Sequence, residues 1–173
     1  PVSYGLNSRL VKEDGKIQEK VWKVGGLYGQ ALEKIVYWLK KAEGVAENPE
    51  QKAVIAKLVE FYETGYLKTF DDYAVLWVKD LDSRIDFVNG FTESYGDPLG
   101  IKASWESVVN FKDLEAPRRT EIISSNAQWF EDHSPVEKQF KKEEVKGVSA
   151  KVITAAILAG DLYPSTAIGI NLP

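Results

Sequence analysis

The feature that most constrains this chain is a change of period at Lys79. Before it, apolar residues recur every three or four positions; after it, β-branched and aromatic runs take over. From Leu27 to Ala46 the residues Tyr28, Ala31, Leu32, Ile35, Leu39 and Ala42 predict one buried helical stripe, broken from what precedes by Gly25 and Gly26. A second helix is predicted to start at Asn48 as N-cap, with Pro49 at its first position, Gln51 placed to reach back to the cap, and Gly65 ending it. Its stripe is Val54, Ile55, Leu58, Val59 and Tyr62. A third helix begins near Thr69 and carries Phe70, Tyr73, Ala74 and Trp77. The first half of the chain thus reads as a layer of helices with short connections.

Beyond Lys79, Arg84 to Tyr95 reads as a strand, Asp97-Pro98-Leu99-Gly100 as a turn, and Ser104 to Phe111 as the returning strand of a hairpin. The helical period returns from Leu114 to Phe130, with Asp113 as candidate cap and Pro117 in the first turn, where a missing N–H costs nothing. Ser134-Pro135-Val136-Glu137 has the capping-box spacing of a further short helix. Ser149 to Leu158 and Ala167 to Leu172 read as buried strands around the turn Asp161-Leu162-Tyr163-Pro164. The expected fold class is α+β: N-terminal helices, then a small, mainly antiparallel sheet or partial barrel with an inserted helix.

Composition narrows the function. With 173 residues and 44% hydrophobic content the chain can bury a core, as one domain or two small lobes. It has no cysteine and one histidine, His133, which excludes disulfides, thiolate metal sites and multi-histidine sites within the chain. His133 is expected at a helix-to-loop junction, exposed or capping. The five tryptophans are expected as anchors of the core or of an interface between lobes. The net charge of -4 argues against a nucleic-acid partner, and the lysine-dense stretch Lys138 to Lys146, interrupted by Glu143 and Glu144, reads as a solvated helical face. No apolar run approaches the ~20 residues of a membrane helix, and no signal pattern opens the sequence, so no membrane partner and a cytoplasmic location are expected. The absence of any methionine, with Pro1 first, leads to the expectation of a piece cut from a longer polypeptide.

The candidate site is carried by Glu93, Tyr95 and Asn171. Residues two apart on a strand share a face, about 6.5 Å apart, so a carboxylate and a phenol so placed span about one peptide unit of a ligand. The carboxylate of Glu93 can pair with the α-ammonium of a peptide, and the Tyr95 hydroxyl can donate to a carbonyl oxygen that gains charge during hydrolysis. Asn171 offers both a donor and an acceptor to a ligand backbone laid down like an added strand. The plain alternative is that Glu93 and Tyr95 form the solvent face of their strand and Asn171, before Leu172-Pro173, belongs to a turn.

These residues sit in elements that resemble a known family. Gly25-Gly26-Leu27-Tyr28, the helix with Ile35-Val36-Tyr37-Trp38-Leu39, Glu47 and Gln51, Phe91-Thr92-Glu93-Ser94-Tyr95-Gly96-Asp97-Pro98, and Ala167-Ile168-Gly169-Ile170-Asn171-Leu172-Pro173 together look like the dipeptidyl peptidase III family of zinc metallopeptidases. Gly96 in this context is similar to the bacterial branch. The resemblance implies a two-lobed peptidase that removes dipeptides from the free N-terminus of oligopeptides. It implies that the residue matching Glu93 binds the substrate α-ammonium, that matching Tyr95 assists at the scissile carbonyl, and that matching Asn171 binds substrate backbone.

It also implies a division of the chain. Residues 1–112 are expected as a helical layer with the first strands of a substrate-binding lobe that contains a β-barrel, 113–146 as a helical insertion toward a zinc-bearing lobe, and 147–173 as return strands. The family's His-Glu-x-x-Gly-His motif and its further glutamate are absent from this sequence. The expectation is therefore a substrate-binding fragment upstream of the zinc motif, with no cofactor of its own and no catalysis in isolation. Zinc is expected in the full-length parent, and the partners are an oligopeptide substrate and the missing zinc-bearing lobe. The alternative is a self-standing, non-catalytic peptide-binding or interaction module.

Overall fold

The computed structural model describes residues 2–93, 99, 103–114, 117–146 and 152–164. The chain opens with a hairpin, β1 (Ser8–Glu13) paired antiparallel to β2 (Lys16–Val21). Its two-residue connection, Asp14-Gly15, has φ of 51° and 76°, the double left-handed geometry that a tight hairpin turn requires. The first half is therefore not wholly helical, and Asp14-Gly15 was the signal for it. Asn7 ties this hairpin to the helices: its Nδ2 donates to the carbonyls of Trp22 at 3.2 Å and Gly65 at 3.1 Å.

Three helices follow, α1 (Gly29–Glu43), α2 (Pro49–Thr64) and α3 (Leu67–Lys79). The start of α2 is as local chemistry dictates, since Asn48 Oδ1 accepts the Gln51 N–H at 2.7 Å and Pro49 occupies the first turn. At its end Gly65 adopts φ 73°, and a Cβ there would lie 2.5 Å from Val21 Cγ1, so conformation and close approach both demand glycine. The buried face of α2 comprises Gln51, Val54, Ile55, Leu58, Val59, Phe61 and Tyr62. The stripe of α1 is rotated from the expected one. Leu32, Val36 and Leu39 are buried, whereas Tyr28 and Ala31 are exposed. Helix α3 starts at Leu67, earlier than Thr69, without a side-chain cap; Thr69 is buried within it.

Strands β3 (Ile85–Glu93), β4 (Ser104–Lys112) and β5 (Ile153–Gly160) form an antiparallel sheet in the order β3-β4-β5. Val88 and Val108 meet Leu162 and Trp77 in a second small core. The expected burial of the later strands does not hold for β5: among the described residues it is the last strand of its sheet, and residues 153–157 are exposed. The Ala167–Leu172 strand lies outside the described residues. Among the described residues the two sheets are open, so no closed barrel is formed, and the fold is α+β.

The expected helix from Leu114 to Phe130 is two helices, α4 (Pro117–Ser125) and α5 (Ala127–His133). Between them the Asn126 side chain donates to the Ile122 carbonyl at 2.7 Å, taking over a helical acceptor. Helix α4 is described from Pro117, and residues 115–116, on which the expected Asp113 cap would act, lie outside the described residues; the Asp113 N–H bonds to the Val152 carbonyl at 2.9 Å. With the pairing of Lys112 and Ile153, this contact brings the ends of the 114–151 excursion together. Ser134 does not open a capping box either. Its hydroxyl donates back to the Glu131 carbonyl at 2.9 Å, and the next element is a short 3-10 turn, Lys138–Phe140. The lysine-dense stretch is thus largely exposed but, beyond that turn, not helical. No helix of the described residues is long and apolar enough to cross a membrane.

Candidate functional site

The strand that ends at Glu93 is fixed at its other end by Glu47. The Glu47 carboxylate accepts the N–H groups of Ile85 at 2.7 Å and Arg84 at 2.9 Å. Gln51 completes the clamp: its Oε1 accepts the Glu47 N–H at 2.7 Å, and its Nε2 donates to the Ile85 carbonyl at 2.8 Å. So Gln51 reaches back one residue beyond the cap and also across to β3, which the capping spacing alone did not foretell. Donation by the Ile85 N–H holds the Glu47 carboxyl below its ordinary value of 4.5; partial burial opposes this, while Arg84 and Gln51 reinforce it.

Midway along β3 the strand is tied to α2. Tyr62, fully buried, accepts a hydrogen bond from Trp105 Nε1 at 2.9 Å and donates to Asn89 Oδ1. Burial pushes the Tyr62 phenol well up, against the opposing effect of the Trp105 N–H, so this hydroxyl stays protonated and structural. Tyr73 donates to the Phe87 carbonyl at 3.4 Å, and its phenol is likewise raised, first by burial and then by Tyr62 and Asp86.

At the far end, β3 and β4 pair Phe91 with Trp105 and Glu93 with Ser104, with a bulge at Thr92. The bulge interrupts the strict alternation assumed from the sequence, and such irregularities re-aim side chains at strand ends. Next to this end lies a cavity of about 440 Å³, whose lining includes Trp22, Tyr28, Ala31, Phe91, Ser104 and Trp105. The rings of Trp22, Tyr28 and Phe91 stand 6.2 Å apart pairwise, with Tyr28 and Phe91 stacked. A second apolar cavity of about 490 Å³ runs on between α1, α2 and the sheet, sharing Ile35 and Trp105 with the first.

Of the three predicted site residues, the structure places the backbone of Glu93 at the end of β3; Tyr95 and Asn171 lie outside the described residues. Sequence reasoning did not assemble the aromatic cavity, because its walls come from segments around residues 22–35, 91 and 105 whose meeting no local pattern announces. His133 is the exposed last residue of α5, with its ring stacked on Trp129 at 4.3 Å and Nδ1 at 2.8 Å from the Trp129 carbonyl. Among the described residues no three histidine, cysteine, aspartate or glutamate side chains gather in a way that could hold a metal, so zinc does not fit a site built from them. Asp80 binds Ser83 N–H at 3.1 Å, and Asp86 accepts Trp77 Nε1 at 2.7 Å, which are structural tasks. The tryptophans divide. Trp22 is in the core, while Trp38 and Trp129 are more than half exposed.

Comparison with known proteins adds what geometry alone does not. The chain is 31% identical over 149 residues to a dipeptidyl peptidase 3 of Dictyostelium discoideum, covering 86% of this chain and 21% of that protein. It is 26% identical over 148 residues to the Rattus norvegicus dipeptidyl peptidase 3, covering 86% of this chain and 20% of that one. The chain therefore spans about a fifth of the length of these curated relatives. In three dimensions it resembles the structure of DPP III from Caldithrix abyssi, with a TM-score of 0.81 at 21% identity, over 98% of this chain and 32% of that one. The family model described as Peptidase family M49 matches residues 6–173, nearly the whole length, and the chain belongs to that family, the dipeptidyl peptidase III family.

Proposed function

We propose that the chain is the substrate-binding portion of a zinc-dependent dipeptidyl peptidase that releases dipeptides from the N-terminus of oligopeptides. The observation that carries this reading is the family match across residues 6–173. In it, Glu93 receives the peptide α-ammonium, Tyr95 donates a hydrogen bond to the scissile carbonyl, and Asn171 holds substrate backbone as an added strand would be held. The clamp of Glu47 and Gln51 on the start of β3 and the Tyr62 tie at its middle support this reading, because a carboxylate must sit on a rigid strand to select an ammonium at a fixed depth.

Residues 1–112 and 147–173 form the substrate lobe, and residues 113–146 an excursion from it. The zinc and the general base belong, in this proposal, to another part of a longer polypeptide, and the isolated chain binds peptide without cleaving it. Calorimetric titration with trialanine tests the reading. Binding should require the free amino group, disappearing with N-acetyl-trialanine, and should weaken at least ~10-fold in Glu93→Gln, in line with the loss of a charge-assisted contact. Equal binding of the acetylated peptide would remove Glu93 from the amino-terminal role. Release of dipeptides by the isolated chain with added zinc would overturn its assignment as the non-catalytic portion.

A further inference from the structure

We infer that Asn89-Gly90 is a latent self-modification site: an asparagine that deamidates through its own backbone when β3 opens, and that the Tyr62 hydroxyl holds inert in the fold. It is the one Asn-Gly pair in the sequence. Such a pair is ordinarily the mark of a tight hairpin turn. Here it lies in the middle of β3, with Asn89 opposite Ser107 and Gly90 opposite Glu106 in the ladder to β4. A dipeptide that local rules send to a turn has been kept mid-strand, and packing gives the reason for each residue.

Glycine at position 90 is demanded by close approach. The residue is buried, and a Cβ there would lie 2.9 Å from Phe70 Cε2 and 3.2 Å from Phe70 Cζ. Asparagine at position 89 is demanded by the tie to α2: its Oδ1 accepts from the Tyr62 hydroxyl, which itself accepts from Trp105 Nε1 at 2.9 Å. Met side by side, the two demands set a side-chain amide next to a backbone nitrogen that no β-carbon shields.

The reaction needs only water and solvent base. The Gly90 nitrogen gives up its proton and bonds to Asn89 Cγ; the Cγ–Nδ2 bond breaks, and that nitrogen leaves as ammonia. Water then opens the resulting cyclic imide at either carbonyl, giving aspartate or its β-linked isomer. Exclusion of water does not protect the pair, because Asn89 is only partly buried and lines the apolar cavity of about 490 Å³. Geometry does. Ring closure requires the Asn89-Gly90 peptide to rotate out of its extended conformation and the amide to swing away from Tyr62, which would leave a fully buried hydroxyl without its acceptor. The β-linked product carries one more main-chain carbon, which would displace the rest of β3, as far as Glu93, against β4.

The full chain is incubated at mildly alkaline pH, folded and in urea above its unfolding midpoint. Mass spectrometry of the peptide that contains Asn89 follows conversion of amide to acid, and isoaspartyl methyltransferase labelling follows the β-linked product. Conversion should be at least ~10-fold slower in the folded chain, as expected when reaction awaits local opening. In urea, where no packing is disturbed, Gly90→Ala should slow it. In the folded state Tyr62→Phe should convert faster than Leu58→Ala, although the second substitution removes more buried contact, because only the first frees the Asn89 amide. Equal rates in folded and unfolded chain, or no conversion in urea, would overturn the inference. So would folded-state rates in Tyr62→Phe and Leu58→Ala that simply follow their stabilities, since protection would then belong to global folding and not to the hydroxyl.

Discussion

Helix α2 and the pair α4–α5 make an instructive contrast. All carry apolar residues, yet α2 buries seven residues against α1, α3 and the sheet, while α5 buries none. Ile122, Ile123, Trp129 and Phe130 are each at least half exposed. The difference teaches that a helix in this chain is held by what it packs against rather than by its own propensity, since isolated helices of seven or nine residues are too short to be stable in water.

The contrast can be broken most forcefully at Leu58, which is fully buried in the main cluster. Leu58→Ala should destabilise the chain by about 2–5 kcal/mol in urea unfolding, through lost transfer energy and a residual cavity. Tyr62→Phe should cost less, about 1–3 kcal/mol, because it leaves the Trp105 N–H and the Asn89 amide oxygen without their shared partner.

A smaller, pH-dependent effect is expected at Glu47. Its carboxyl is depressed in the folded state, so it binds protons more weakly there than in the unfolded chain. Its contribution is fully present above the ordinary value of 4.5 and is lost as pH falls from there through the lower folded value. Unfolding curves from pH 6 to pH 3 should show Glu47→Gln flattening that acid limb. Ile122→Ser should be the smallest perturbation, within about 0.5 kcal/mol by the same urea assay, because its side chain already faces solvent. A large effect there would mean that α4 packs onto the remainder of the chain.

Where the sequence was readable, the interactions were local. Asn48, Pro49 and Gly65 bounded α2 to the residue because a cap, a fixed φ and a left-handed terminus act within one turn. The β3–β4 hairpin was legible from its β-branched and aromatic runs. Glu93 was picked out by a motif, and its place in a strand follows from the run Arg84 to Tyr95. The Asp14-Gly15 turn was equally local and was overlooked. Asn126 split a helix that apolar spacing drew as continuous, since spacing does not register a side chain that competes for a carbonyl.

The amino-acid sequence by itself determined the family, the α+β class, the boundaries of α2 and the identity of the candidate carboxylate. Tertiary structure alone decided which face of α1 is buried, that most of β5 is exposed among the described residues, and that Trp22, Tyr28, Phe91 and Trp105 meet around one cavity. The physical reason is separation along the chain. Caps and turns are set by neighbours a few residues away, whereas burial and cavities arise where segments some 70 residues apart are brought together, and no local pattern encodes that distance.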